Sequence, residues 1–530
     1  MIQWIEAGQL KTWVHDGAEI AVLDVREQGQ YGESHLFYGV PLPYSRLEFD
    51  VVRLVPRHSV RLVVYDGDGD EAGVAGRAAH RLMAMGYSQV FALKGGTVAW
   101  KAAGYALFAG VNLPSKTFGE LVEHAYGTPS ISANELAGWL AAKEDVVVLD
   151  GRPVSEFYKM SIPTATCCPN GELAYRVRQL VPSEKTRIVI NCAGRTRSII
   201  GAQTLINLGV PNPVYALRNG TQGWYLDDHV LEHGQTRAYG SPANLDVMRS
   251  AASQLAARFN VKFVGDETVQ AWAADDARSL YLCDVRTAEE FSQGSLPGAQ
   301  LTPGGQLMQA MDQYVGVRNA RLVLFDADGI RAPTVASWLT QMGHEVYVLA
   351  RGLLSSITLA ATKPAHLPVL EAISATQLTQ LLAKDEAVVI DLQPSMQYRK
   401  AHIPGARWAI RSVLPDALLA QETRQVVLVC DEALVAATAA TELSMLAMPP
   451  LLLDGGMKTW RANGMPTQTS DNSPPDAECI DYLFFVHDRH DGNKAAARQY
   501  LAWETNLIAQ LDARELASFR LPLAPKGSHP

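Results

Sequence analysis

Asn191-Cys192-Ala193-Gly194-Arg195-Thr196-Arg197-Ser198 lies between the apolar run Ile188-Val189-Ile190 and the stretch Ile199 to Leu205. A short β-rich run, a tight loop and a helical pattern predict strand, loop and helix. Cys192 then stands at the carboxyl end of a buried strand, where N–H groups of the loop and of the helix start converge on its sulfur. Helix N-termini favour negative charge, and Arg195 and Arg197 follow within five residues. Such conditions lower a thiol pKa and make a nucleophile. The competing reading is a buried structural cysteine with solvated arginines beside it.

The same strand and loop recur along the chain. Arg187 to Cys192 matches Arg61-Leu62-Val63-Val64-Tyr65-Asp66, Arg321-Leu322-Val323-Leu324-Phe325-Asp326 and Gln425-Val426-Val427-Leu428-Val429-Cys430. An earlier strand ends in Leu149-Asp150-Gly151-Arg152, matched by Leu23-Asp24-Val25-Arg26, Cys283-Asp284-Val285-Arg286 and, more weakly, Ile390-Asp391-Leu392-Gln393. The acid precedes the loop position by 42 residues in three copies and by 39 in the fourth. Turns follow the early strand at Ser161-Ile162-Pro163-Thr164-Ala165, Ser295-Leu296-Pro297-Gly298-Ala299 and His402-Ile403-Pro404-Gly405-Ala406, and in degenerate form at His35-Leu36. Each copy closes on a glycine turn, at Gly95-Gly96, Asn219-Gly220, Arg351-Gly352 and Gly455-Gly456, and Trp100, Trp224 and Trp460 follow three of them.

Short Val/Ile/Leu strands between helical patterns predict an α/β chain of four repeated three-layer units. Each is a small, mostly parallel sheet with helices on both faces. Ligands of such sheets sit beyond the carboxyl ends of strands, where the Cys192 loop falls. The units are expected at residues 1–112, 130–236, 260–362 and 372–466, with a helical tail over 477–530. The first two connections read as helical (Phe118 to Tyr126, Leu245 to Phe259), and Asp471 to Asp476 as a turn. Ala495 to Leu516 has helical periodicity, with Tyr500, Leu501, Trp503, Leu507, Ile508 and Leu511 as an apolar stripe for a neighbouring unit or another chain. His487-Asp488-Arg489-His490-Asp491 reads as a solvated loop, because its histidine spacing fits no dedicated metal site.

A chain of 530 residues is too long for one core. Apolar content of 48% and charged content of 19% describe an ordinary soluble globular protein, and the net charge of −9 argues against nucleic-acid binding. Six cysteines in no regular framework suggest a reducing compartment. The start, Met1-Ile2-Gln3-Trp4-Ile5-Glu6, has no basic segment followed by an apolar core, and no apolar run reaches a membrane span, so cytoplasm is expected.

With these motifs in place, the chain resembles the rhodanese (thiosulfate sulfurtransferase) family over about nine-tenths of its length, as four tandem units. The shared motifs are the Asp-x-Arg, the Ile-Pro-Gly-Ala-like turn, the Cys-led loop and the Gly-Gly-x-x-x-Trp close. The resemblance implies that Cys192 takes the outer sulfur of thiosulfate as a persulfide and passes it to cyanide or a thiol. It implies a substrate loop of Ala193, Gly194, Arg195, Thr196, Arg197 and Ser198. There the arginines hold the dianion, and the N–H groups hold the persulfide. Two half-reactions through a covalent intermediate imply ping-pong kinetics. Gly171-Glu172-Leu173 resembles a segment that approaches the active loop in some members, so Arg176 is a candidate for touching substrate. Asp150 and Arg152 read as a structural pair, because two copies without the nucleophile keep both. No metal or organic cofactor is called for.

Phosphatases of this fold use Cys, five residues, then Arg, whereas Arg197 comes one position earlier and Ser198 takes the sixth place. That favours sulfur transfer over phosphate chemistry. The other copies depart from the pattern. Asp66 and Asp326 replace the nucleophile, so those units read as inactive. The run Asp66-Gly67-Asp68-Gly69-Asp70-Glu71 is only the start of a calcium loop, since Glu71 and Arg77 stand where Gly and Glu belong. Cys430 is followed by Asp431 and Glu432, which raise a thiol pKa and repel thiosulfate. Cys167 and Cys168 could pair with Cys192 as a regulatory disulfide, though packing is the simpler use, and Cys283 reads as core. The alternatives to a thiosulfate sulfurtransferase are a sulfur-relay or protein-binding scaffold fed by a protein persulfide, and a phosphatase-like or arsenate-handling enzyme.

Overall fold

The computed structural model describes residues 2–243, 245–360, 367–414, 422–443, 446, 448–487 and 492–522. The chain divides into two compact units. One comprises residues 1–12, 21–111 and 363–486, the other residues 13–20, 112–362 and 487–530. Each unit holds two copies of one parallel sheet.

In the second unit the strands run in the order Ser130–Ile131, Val214–Leu217, Arg187–Asn191, Val146–Asp150, Thr166–Cys167. Lys262–Val264, Glu345–Leu349, Arg321–Phe325, Leu280–Asp284 and Gln300–Leu301 repeat that order. In the first unit Gln3–Ile5, Val90–Leu93, Leu62–Tyr65, Ile20–Asp24 and Val40–Pro41 follow it. So do Ala372–Ile373, Leu451–Leu453, Gln425–Val429, Ala387–Asp391 and Arg407–Trp408. The pairings are parallel, with Val146↔Arg187 to Asp150↔Asn191 setting the register beside the Cys192 loop. Helices cover both faces, which is why these strands are continuous apolar runs rather than alternating ones. In the second copy one face is filled by Leu136, Val148, Phe157, Val189, Leu217 and Trp224.

The repeated motifs have repeated geometry. Arg26, Arg152 and Arg286 each fork onto the Asp two residues earlier, at 2.6, 2.7 and 2.6 Å. Each pair is buried and bonds the early strand to the turn that follows. The indole N–H groups of Trp100, Trp224 and Trp460 donate to carbonyls six residues on, at 2.9, 2.9 and 2.8 Å.

Gln393 stands where the fourth copy lacks its arginine, and its Nε2 reaches Asp391 Oδ2 at 2.9 Å. Without the forked guanidinium of the other copies, and with only the more distant Arg461 charge to oppose it, burial pushes the Asp391 carboxyl up to about 6. An acid whose folded pKa is raised holds its proton more tightly when folded. That stabilisation is full below the ordinary carboxyl range and is lost as pH rises through about 6. Gln393→Arg is therefore expected to stabilise the chain by about 3 kcal/mol at pH 7, with the advantage shrinking towards pH 4. Urea midpoints of the two proteins across this range are the check, and a pH-independent difference would contradict it.

The connecting segments are helices Leu113–Tyr126 and Leu245–Arg258. The tail departs from the continuous helix expected over Ala495 to Leu516. It forms Lys494–Thr505, Leu507–Gln510 and Ala513–Leu516 instead. Asn506 ends the first helix, and Asp512 starts the last with a capping box to Glu515. The breaks still bury Tyr500, Leu501, Leu507 and Leu511. Phe519 stacks 5.9 Å from Phe118, within the same unit.

Candidate active site

Arg187–Asn191 lies between two parallel neighbours, and its last side chain donates from Asn191 Nδ2 to Asp150 Oδ2 at 2.8 Å. Cys192 follows, and helix Thr196–Asn207 begins four residues on. A second junction clamps the loop: Thr221 N–H donates to the Cys192 carbonyl at 2.8 Å and Gln222 N–H to the Ala193 carbonyl at 3.1 Å. The clamp requires glycine. Gly220 has φ +53°, and a Cβ there would lie 2.2 Å from the Cys192 carbonyl oxygen. Gly96, Gly352 and Gly456 meet the carbonyls of Asp66, Asp326 and Cys430 in the same way, at 2.4, 2.4 and 2.6 Å.

The third copy shows what such a loop holds. Asp326 replaces the cysteine, and its carboxylate accepts N–H bonds from Gly329 (2.9 Å), Ile330 (2.9 Å) and Ala332 (3.0 Å). Those donors correspond by position to Arg195, Thr196 and Ser198. Asp66 is held likewise by Gly69 (2.7 Å) and Ala75 (2.8 Å). The loop is a backbone anion cradle, and two copies fill it with their own carboxylate.

Arg195 and Arg197, expected to hold substrate, are both committed to glutamates. Arg195 forks onto Glu120 at 2.7 and 2.9 Å and also pairs with Glu123. Arg197 forks onto Glu156 at 2.8 and 2.9 Å. Burial opposes the charge on Arg197, and Glu156 more than offsets it, so its pKa is raised. The third copy keeps this pair as Arg331 and Glu290, at 2.6 and 2.9 Å. A fork that survives beside Asp326 is a scaffold for the loop, not a sign of sulfur chemistry.

Cys192 itself is only 2% exposed. Tail helix Lys494–Thr505 brings Glu504 against the loop: Thr196 Oγ1 donates to Glu504 Oε1 at 3.1 Å. Lys116 Nζ is 3.8 Å from the same oxygen and lies over the Tyr500 and Trp503 rings. Glu504 Oε2, both polar atoms of the Gln222 amide and Ser198 Oγ are buried without a hydrogen-bond partner. In sequence, only Glu156 carried a signal, standing six residues after Asp150 as Glu290 stands after Asp284. Glu120, Glu123, Gln222 and Glu504 come from other elements, so no spacing points to them.

Arg176 is elsewhere engaged. It bonds Glu172 at 3.1 Å and the Gly240 carbonyl at 2.8 Å, between the Tyr175 and Tyr239 rings. All six cysteines are free. Burial pushes the thiols of Cys167 and Cys283 up to about 12 and holds that of Cys168 well above the ordinary thiol range. Cys430 reaches about 11, through burial and the nearby Glu432, Asp391 and Asp431. Asp488 to Asp491 of the charged tail motif lie outside the described residues. Among the described residues, His15, Asp512 and Glu515 bring ligand atoms within 4.8 Å, and there the two acids form the cap of Ala513–Leu516. Among the described residues no helix is long and apolar enough to cross a membrane.

No curated protein matches the chain. Among solved structures it is similar to a thiosulfate sulfurtransferase from Pseudomonas aeruginosa, at 39% identity over 99% of this chain and 100% of that one, with a TM-score of 0.90. The Alr3790 protein of Anabaena sp. matches 20% of this chain at 30% identity, over 93% of its own length, with a TM-score of 0.19. This fold and the full-length neighbour support sulfurtransferase activity in general. The family model described as a rhodanese-like domain matches residues 6–103, 132–227, 267–355 and 374–463, and the chain therefore belongs to the rhodanese family as four tandem rhodanese-like domains.

Proposed function

We propose that this protein is a thiosulfate-type sulfurtransferase that carries sulfane sulfur on Cys192. The observation that carries the reading is the Asp326 cradle. Two N–H groups, of Ile330 and Ala332, grip Asp326 Oδ2 there and a third, of Gly329, grips Oδ1; these oxygens lie one atom beyond the reach of a cysteine sulfur, where the outer sulfur of a Cys192 persulfide falls. The Cys192 thiolate attacks the outer sulfur of thiosulfate, the S–S bond breaks, and sulfite leaves with the electron pair. Cyanide or a thiol then attacks the bound sulfane sulfur and releases the thiolate. Because both guanidinium groups are paired, the N–H array and Ser198 Oγ hold the transferred sulfur. Arg197, forked onto Glu156, fixes the loop that presents these donors.

The domains that carry Asp66 and Asp326 perform no sulfur transfer, since a carboxylate cannot hold sulfane sulfur. The burial of Cys192 favours a small donor over a protein persulfide. Intact-protein mass after incubation with thiosulfate and desalting is the test. A gain of one sulfur atom, removed by cyanide, is expected. No gain would exclude thiosulfate as donor and turn the reading to the relay.

A further inference from the structure

We propose that Asn170 is a positioning residue for sulfur transfer: it sets the peptide unit whose N–H group, that of Ser198, holds the transferred sulfur. The proposal rests on Cys192 as sulfur carrier and deepens that reading with a residue from outside the loop.

Asn170 opens the short turn Asn170–Glu172 and is 3% exposed. Its Nδ2 donates to the Arg197 carbonyl at 2.8 Å. A peptide unit is planar and trans, so the Arg197 carbonyl and the Ser198 N–H form one rigid group and point in opposite directions. Gripping the oxygen therefore aims the N–H. It also polarises the unit, because a carbonyl that accepts a hydrogen bond makes the attached N–H a stronger donor. Ser198 corresponds to Ala332, whose N–H reaches Asp326 Oδ2 at 3.0 Å in the third copy. Asn170 thus supports one cradle donor from behind.

The packing around this side chain belongs to the copy that keeps its cysteine. Asn170 and Gly304 hold the same position, their N–H groups donating to the carbonyls of Gly151 and Val285 at 3.1 and 3.0 Å. In the second copy Asn170 Oδ1 lies 2.1 Å from the point a Cβ on Gly151 would occupy, and 2.6 Å from that of Gly201. In the third copy those two places are Val285 and Val335, and position 304 is bare: a Cβ there would lie 2.6 Å from Val335 Cγ2. Two glycines make room for one asparagine beside Cys192, and two valines fill that room beside Asp326. Gly201 stands inside helix Thr196–Asn207, where glycine is unfavourable. Asn170 Oδ1 is buried without a hydrogen-bond partner, a cost that filling space alone does not require. The bond from Nδ2 to Arg197 is what the arrangement gains.

The test times the loading of Cys192 by thiosulfate, read by intact mass in the full chain, with urea midpoints measured in parallel. Asn170→Ala is expected to slow loading at saturating thiosulfate about tenfold and to leave the half-saturating concentration within about twofold, because Asn170 does not touch the donor. A second variant combines Gly151→Val, Asn170→Gly and Gly201→Val, which gives this site the filling of the third copy. It is expected to keep a urea midpoint near that of the wild type and to load as slowly as Asn170→Ala. Should Asn170→Ala fail to fold, the combined variant decides. Loading at the wild-type rate in either folded variant, or a defect confined to the half-saturating concentration, overturns the positioning role while leaving the persulfide intact. Failure of the wild type to load overturns the persulfide reading and this assignment with it.

Discussion

Cys192→Ser is expected to reduce sulfur transfer to background, whereas Cys430→Ser keeps most of it. The two cysteines occupy the same position in copies of one fold, so the contrast tests local chemistry and not topology. Behind Cys192 the loop carries two arginines and opens into a helix whose first N–H groups correspond to those that bind Asp326. Behind Cys430 stand Asp431 and Glu432, and burial with these acids pushes the thiol up to about 11. At pH 7 its thiolate fraction is then of the order of one in ten thousand, too small for a competent nucleophile. A serine at 192 keeps the loop nearly isosteric but forms no bond to sulfane sulfur that cyanide could discharge. Steady-state thiocyanate formation by the two variants is the measurement. Retained activity in Cys192→Ser, or its loss in Cys430→Ser, would sink the one-site reading.

What could be read without coordinates was whatever the chain says more than once. The 42-residue spacing from acid to loop, the Asp-x-Arg and the glycine turn each occur in several copies, so coincidence is improbable and the four-sheet architecture follows. The same redundancy exposed the substitutions at Asp66 and Asp326. What the repeat could not reveal is the surroundings of the one loop that keeps its cysteine and arginines. Glu120 and Glu123 sit on the connecting helix Leu113–Tyr126, and Glu504 on the tail, 312 residues after Cys192. Neither belongs to a repeated motif. Arginines next to a cysteine suggest free positive charge when only the near sequence is visible. Carboxylates from distant segments cancel that charge, and the tail read as an apolar stripe also delivers a polar group to the loop.

The same geometry makes Arg331 a costly residue to remove. Its side chain is fully buried. It bonds Glu290 at 2.6 and 2.9 Å, Glu172 at 3.0 Å and Asp328 at 3.0 Å, over the Tyr175 ring at 4.2 Å. Glu172 belongs to the second domain and Glu290 to the third, so one guanidinium joins two domains of the same unit. Arg331→Met fills much of the volume but leaves three carboxylates facing one another out of water. Breaking a buried ion pair in this way costs about 3–5 kcal/mol, and the repulsion adds to it. The pH dependence has a definite sign. Burial alone would raise the Glu290 carboxyl, yet Arg331 holds it at about 2. An acid depressed in the folded state contributes stability that is full above the ordinary carboxyl range and is lost as pH falls through about 2. The variant lacks that contribution, so its deficit is expected to be largest at neutral pH and to shrink steadily as pH falls, with Asp328, which burial and Asp326 hold up at about 7 even beside Arg331, the first of its three acids to take up a proton. Denaturant midpoints for both proteins between pH 3 and 7 measure this. A deficit that is small, or independent of pH, would show that Arg331 acts by packing on Tyr175 and not by neutralising the cluster. Because Arg331 and Arg197 are the same position in two copies, the result also reports what the Arg197–Glu156 pair does for the loop that holds Cys192.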